Sequence, residues 1–120
     1  MILADTSVWV HHLRQGNARL GNLLSDGQVV CHPFVVGELA CDNLKNRGEV
    51  LLLLGRLPSA GLATHDEALA LIEGRRLTGR GLGWVDVHLL GAAVLQGLGL
   101  WTLDRRLEVA ATALGVRAQV

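Results

Sequence analysis

Four acidic residues stand out by where they fall in the chain. Asp5 ends the apolar run Met1-Ile2-Leu3-Ala4, and Asp104 ends Leu100-Trp101-Thr102-Leu103. In both places an apolar stretch of strand length runs into a carboxylate and then into a helix start. Asp86 lies in the first turn of a long apolar helix beginning near Trp84, and Glu38 is the lone acid in the apolar helix that follows His32-Pro33. Each acid has an ordinary structural explanation. Asp5 and Asp104 suit helix N-caps, Asp86 suits the positive end of a helix dipole, and Glu38 suits a side chain reaching to solvent. Together they suggest something else. An acid in an almost wholly apolar helix is costly to bury unless a cation compensates. Carboxylates gathered without Cys or His make a hard, oxygen-only site, which fits Mg²⁺ or Mn²⁺ and not zinc or copper. Such an ion on a phosphodiester activates a water and stabilises the leaving oxygen, so no protein nucleophile is needed.

For these acids to meet, the elements that carry them must converge. The chain alternates strand-like and helix-like segments throughout. Strands are predicted at the N-terminus, at Gln28-Val29-Val30-Cys31, weakly at Gly61-Leu62-Ala63-Thr64, at residues 100–103, and as a final edge over residues 116–120. Between them the pattern predicts helices from Thr6 to Gly16, Ala18 to Leu24, Pro33 to Ala40, Arg47 to Leu57 (with Leu51 to Leu54 as its buried part), His65 onward, Trp84 to Leu98, and Asp104 to Leu114. Alternation of this kind gives an α/β fold, a three-layer α/β/α sandwich around a parallel sheet of four to five strands. In a parallel sheet Asp5 and Asp104 share the carboxyl edge, where ligands gather. Residues 75–83, rich in Gly and Arg, read as a mobile basic loop.

Composition bounds the rest. The chain has 120 residues, half of them apolar and only 3% aromatic, which fits a single domain over residues 1–120 with a Leu, Val and Ala core. Residues 87–103 carry no charge but hold three glycines and fall short of the ~20 residues of a membrane span. Nothing at the N-terminus points to secretion, so a cytoplasmic location is expected. Cys31 and Cys41 read as reduced core residues, and His11, His12, His32 and His65 have no zinc spacing. His88, near Asp86, either packs in its helix or orients a ligand. No GxxxxGK[ST] or GxGxxG motif is present, which removes the usual nucleotide cradles. Net charge is zero, yet if four acids are neutralised by cations, 11 basic residues face 7 acidic ones. Arg75, Arg76, Arg80, Arg105, Arg106 and Arg117 then carry much of that excess in the second half of the chain, either as a nucleic-acid patch or as solvated side chains.

The stretches Met1-Ile2-Leu3-Ala4-Asp5-Thr6-Ser7, the helical Glu38, Gly81-Leu82-Gly83-Trp84-Val85-Asp86-Val87-His88-Leu89-Leu90 and Leu100-Trp101-Thr102-Leu103-Asp104-Arg105-Arg106-Leu107 together resemble a PIN domain over the whole chain. Within that family they are similar to the VapC-type toxins of bacterial toxin–antitoxin modules. The resemblance implies a Mg²⁺-dependent endoribonuclease, with Mn²⁺ as a substitute, on a sheet whose first strand is central. It places Asp5, Glu38, Asp86 and Asp104 on the family's acidic, metal-binding positions, with Thr6 or Ser7 as an accessory hydroxyl; Thr102 is a further candidate. Some members carry another acid after the last Asp. Here Arg105 and Arg106 follow, so a second metal is expected to be weakly held or brought with the RNA. Arg75, Arg76, Arg80 and Arg105 are the candidate contacts for RNA or antitoxin. A homodimer and a small antitoxin whose tail blocks the site are also implied. The alternative is a catalytically silent PIN-like module that binds RNA or protein; a small phosphatase or nucleotide-binding protein lacks its expected motif.

Overall fold

A computed structural model describes residues 1–120. Strand β1 (Ile2–Ala4) lies at the centre of a parallel sheet, with β2 (Val29–Val30) on one side and β3 (Gly99–Trp101) on the other. Leu3 pairs with both Val30 and Leu100, which sets the register. Successive strand side chains point to opposite faces, and Leu3 and Ala4 are both fully buried. Helices therefore cover both sides, as a parallel sheet requires.

Seven helices surround this sheet: α1 (Thr6–Gln15), α2 (Ala18–Ser25), α3 (Pro33–Cys41), α4 (Arg47–Leu54), α5 (His65–Arg75), α6 (Trp84–Gln96) and α7 (Arg105–Ala113). Their starts follow local chemistry. Asn17 caps α2 by accepting from Leu20 N, and Pro33 opens α3 behind His32, whose Nδ1 accepts from Phe34 N. Thr64 and Glu67 close a reciprocal capping box at α5. Helix α1 packs on α2, α3 and β1, while α6 packs on α5 and β3. One core of Leu, Val, Ala and Trp9 fills the space between.

Three strands form where four to five were expected. Residues 61–64 do not form a strand, because the Gln96 side chain takes both backbone groups of Gly61, accepting from its N at 2.9 Å and donating to its O at 2.6 Å. A strand ladder would need those same groups. Ser59 instead bridges Cys31 in a single pair, and Arg117 bridges Leu100 in another, so each flank of the sheet gains one bridge and no strand. Gly99 makes the second approach possible. A Cβ there would meet Ala118 Cα at 3.1 Å and Ile2 Cδ1 at 3.2 Å.

Two core expectations are also corrected. Helix α4 ends at Leu54, and only that leucine is buried; Leu52 and Leu53 are exposed by 60% and 51%. Four consecutive leucines on a 3.6-residue period cannot all face one core. Cys31 is buried, whereas Cys41 at the end of α3 is exposed. Leu77 inserts into the core, Arg76 takes a left-handed conformation at the helix end, and Arg80 Nε donates to Arg76 O.

Candidate active site

The carboxyl edge of the sheet begins with Asp5, which is 6% exposed. Its Oδ1 accepts from Val8 N at 3.2 Å, so it caps α1, and also from Ser7 Oγ at 2.6 Å. Its Oδ2 accepts from Thr102 Oγ1 at 2.6 Å, across 97 residues of sequence. The two hydroxyls are themselves engaged from the neighbouring strand. Ser7 Oγ accepts from Leu103 N at 3.0 Å, and Thr102 Oγ1 accepts from Asp104 N at 2.9 Å. Two backbone N–H groups after β3 thus feed two hydroxyls, and both hydroxyls converge on one carboxylate. Hydrogen bonding of this density favours the ionised form, but burial is the larger influence, and the Asp5 pKa lies above the ordinary carboxylate value.

Asp104 occupies the corresponding position after β3. Its Oδ1 caps α7, accepting from Arg106 N at 2.9 Å and Leu107 N at 3.4 Å, and the residue is exposed. Capping and a place at the sheet edge are therefore compatible for both Asp5 and Asp104. Asp86 turns back on its own helix start, its Oδ2 accepting from Gly83 N at 2.9 Å. Its pKa is raised, first by burial and then by the nearby charges of Asp104 and Glu38. That mutual influence ties three elements to one place. Glu38 differs from expectation. It is exposed on the wet side of the nine-residue α3 and accepts from Thr6 Oγ1 at 2.5 Å, so no burial cost calls for a cation there. Thr6 follows Asp5 directly, which brings Glu38 to the same edge.

None of the four acids has a basic partner. The two ion pairs of the molecule are Arg14 with Asp42 at 3.7 Å and Arg117 with Glu108 at 3.8 Å, both elsewhere. No set of three His, Cys, Asp or Glu side chains is arranged to enclose a metal ion by itself.

Comparison of the sequence with known families adds an independent finding: the family model described as PIN domain matches residues 2–113. The chain belongs to the PIN domain family. It is 52% identical over 117 residues to Ribonuclease VapC32 of Mycobacterium tuberculosis, in two strains, covering 97% of this chain and 94% of the relative.

Of the basic residues in this PIN domain, Arg75, Arg76, Arg80 and Arg105 are all exposed. Arg106, one of the basic residues of the second half of the chain, is exposed as well. Its side chain lies against Gly81, where a Cβ would fall 2.8 Å from Arg106 Cδ and where φ is +77°, so a guanidinium flanks the turn leading into Asp86. His88 is packed and not free to orient a ligand, being 4% exposed between Trp84 and Phe34. The i,i+4 spacing of Trp84 and His88 was the available signal for that contact. No helix of the molecule is long and apolar enough to cross a membrane.

Proposed function

We propose that this PIN domain is a divalent-metal-dependent endoribonuclease, the toxin of a toxin–antitoxin pair. The observation that carries the reading is the set of four carboxylates at one sheet edge with no basic side chain to neutralise them. Such a site attracts a cation, and its donors are all oxygens. The likeness to a relative named as a ribonuclease supplies the class of substrate.

The residues present fit Mg²⁺ or Mn²⁺. Mg²⁺ keeps several waters and takes one or two carboxylates together with substrate phosphate, so a closed protein cage is not required. Asp5, Asp86, Asp104 and Glu38 are the residues that would hold it. When bound, the ion supplies a more acidic water and screens the phosphate charge. Ser7 and Thr102 keep the Asp5 carboxylate in one orientation, and Thr6 does the same for Glu38. Asp5 and Asp86 both have pKa values raised by burial, and at Asp86 the charges of Asp104 and Glu38 add to it, so a cation relieves repulsion there. Arg75, Arg76, Arg80, Arg105 and Arg106 would meet the RNA backbone or the acidic groups of an antitoxin. A homodimer is supported by apolar residues left open on neighbouring helices, Leu69 on α5 and Val94 and Leu95 on α6.

The test is cleavage of RNA by the purified protein, freed of any antitoxin. Mg²⁺ or Mn²⁺ should be required, EDTA should stop the reaction, and Asp5→Asn or Asp104→Asn should abolish it. Cleavage that persists in EDTA, or in both variants, would refute a metal-dependent site. RNA binding without cleavage under any metal would make the domain a binding module.

A further inference from the structure

A row of five rings crosses the molecule beside the acidic edge. His32 and Phe34 stand 5.1 Å apart, Phe34 and His88 4.8 Å, His88 and Trp84 4.6 Å, and Trp84 and His65 5.2 Å. The inner end is fixed in the core, with His32 fully buried and His88 4% exposed. The outer end is open: Trp84 is 41% exposed and His65 is exposed. In a chain with only three Trp, one Phe and no Tyr, this gathers half of the aromatic residues into one line.

A single exposed apolar residue needs no explanation. Trp84 is different because of how it is held and where it sits. The edge-to-face contact with His88 and the tilted contact with His65 fix the indole while leaving part of it in water, so stacking a partner there costs little side-chain entropy. Two helices place it by the acids. On α6, Trp84 and Asp86 share the first turn but leave it in different directions, so the link from the indole to the acids runs through His88 and Phe34. On α3, Phe34 lies one turn before Glu38, on the same face of that helix. Single-stranded RNA offers unstacked bases, and aromatic side chains on a surface are the usual receivers for them.

We propose that Trp84, buttressed by His65 and His88, is a stacking site for one nucleobase of single-stranded RNA, placed so that the neighbouring phosphodiester lies over the acidic edge. This rests on the ribonuclease reading above. The site selects for an unpaired base next to the cut and, because every base has a π-face, only weakly for its identity.

The experiment measures binding of short single-stranded RNAs to protein carrying Asp104→Asn, which prevents cutting, alongside cleavage by the otherwise unaltered chain. Trp84→Ala should weaken binding by about tenfold to a hundredfold, the range measured for one stacked base. Trp84→Phe should keep most of the affinity, and Trp84→Leu, apolar but without a π-face, should behave like Trp84→Ala. An RNA with an abasic nucleotide stepped through each position should show one position where loss of the base weakens binding to the Trp84 protein and leaves Trp84→Ala unaffected. Equal binding by Trp84→Leu and the parent, or an abasic scan in which no position loses its effect, would overturn the stacking site while metal-dependent cleavage stands. Failure of the unaltered protein to bind or cut any RNA overturns the ribonuclease reading and the stacking site with it. Thermal melting of each variant checks folding, and Trp84→Phe gives a conservative replacement should the others melt early.

Discussion

Asp5 and Asp86 are both acids with raised pKa values at one sheet edge, yet the structure treats them in opposite ways. Asp5 is buried, caps a helix and receives two hydroxyls, so three groups depend on it. Asp86 is half-buried, accepts a single backbone N–H, and faces two other carboxylates. The first is part of the frame that joins β1 to β3. The second is held against repulsion and waits for positive charge. A shared chemical type in one site can therefore have opposite signs in stability.

The largest test of this contrast uses activity and melting together. Asp5→Ala and Asp86→Asn should both cost cleavage on the order of a thousandfold, equivalent to about 4 kcal/mol of transition-state stabilisation. Stability should then separate them. Asp5→Ala leaves a cap and two hydroxyls without an acceptor and should lower unfolding free energy by about 1–3 kcal/mol. Asp86→Asn keeps an oxygen for Gly83 N and removes repulsion, so its apo melting temperature should equal or exceed that of the parent. An Asp86→Asn protein that melts well below the parent would make Asp86 a structural cap.

Acid titration of stability in EDTA sharpens the same point once a third group is separated. His32 is fully buried with a pKa lowered to about 4, mainly by burial and then by His88. The unfolded chain binds a proton near the ordinary value of 6.5 and the folded chain does not until about 4, so stability falls as pH drops through that window. The loss at the bottom of the window is up to about 3 kcal/mol. Asp5 and Asp86 act in reverse, because a raised carboxyl pKa means the folded state takes up protons first and gains stability as pH falls toward the ordinary carboxylate range. In His32→Asn, which keeps a capping oxygen, the acid loss should shrink and the carboxylate gain should emerge; an unchanged pH profile would count against both assignments.

Metal should act on the rim and spare the frame. Mn²⁺ at about a hundred times its dissociation constant should stabilise the parent by about 2.7 kcal/mol, with much less effect on Asp86→Asn. Equal shifts in the two proteins would place the ion elsewhere. The smallest effect separates the hydroxyls. Thr102→Val should destabilise by about 1–2 kcal/mol, since Asp5 and Asp104 N both lose a buried partner. Thr6→Val removes only an exposed bond to Glu38 and should cost well under 1 kcal/mol. Chemical denaturation of both variants decides the order.

Much of this site was legible because its parts are local. The tips of β1 and β3 are each written as an apolar run followed by Asp, and each Asp caps the next helix, so a reader of the chain finds Asp5 and Asp104 without coordinates. Glu38 was found for the wrong reason, since an acid in an apolar helix reads as buried until the exposed side of α3 is known. Arg106 was visible as one of the basic residues of the second half, but nothing near it in sequence shows that it will lie on Gly81.

Local periodicity, turn residues and caps determined the seven helices and the three strands that form, and the parallel alternation put two acids on one edge, since these depend on neighbours within a few residues. Tertiary structure alone decided three things. It set which hydroxyls hold Asp5, a bond spanning 97 residues; it denied residues 61–64 a strand by giving the backbone of Gly61 to Gln96; and it lined up His32, Phe34, His88, Trp84 and His65. Each of those outcomes depends on which surfaces meet when the core closes. Hydrogen bonds and ring contacts between distant segments form only then, because their directional partners have no fixed separation in the unfolded chain.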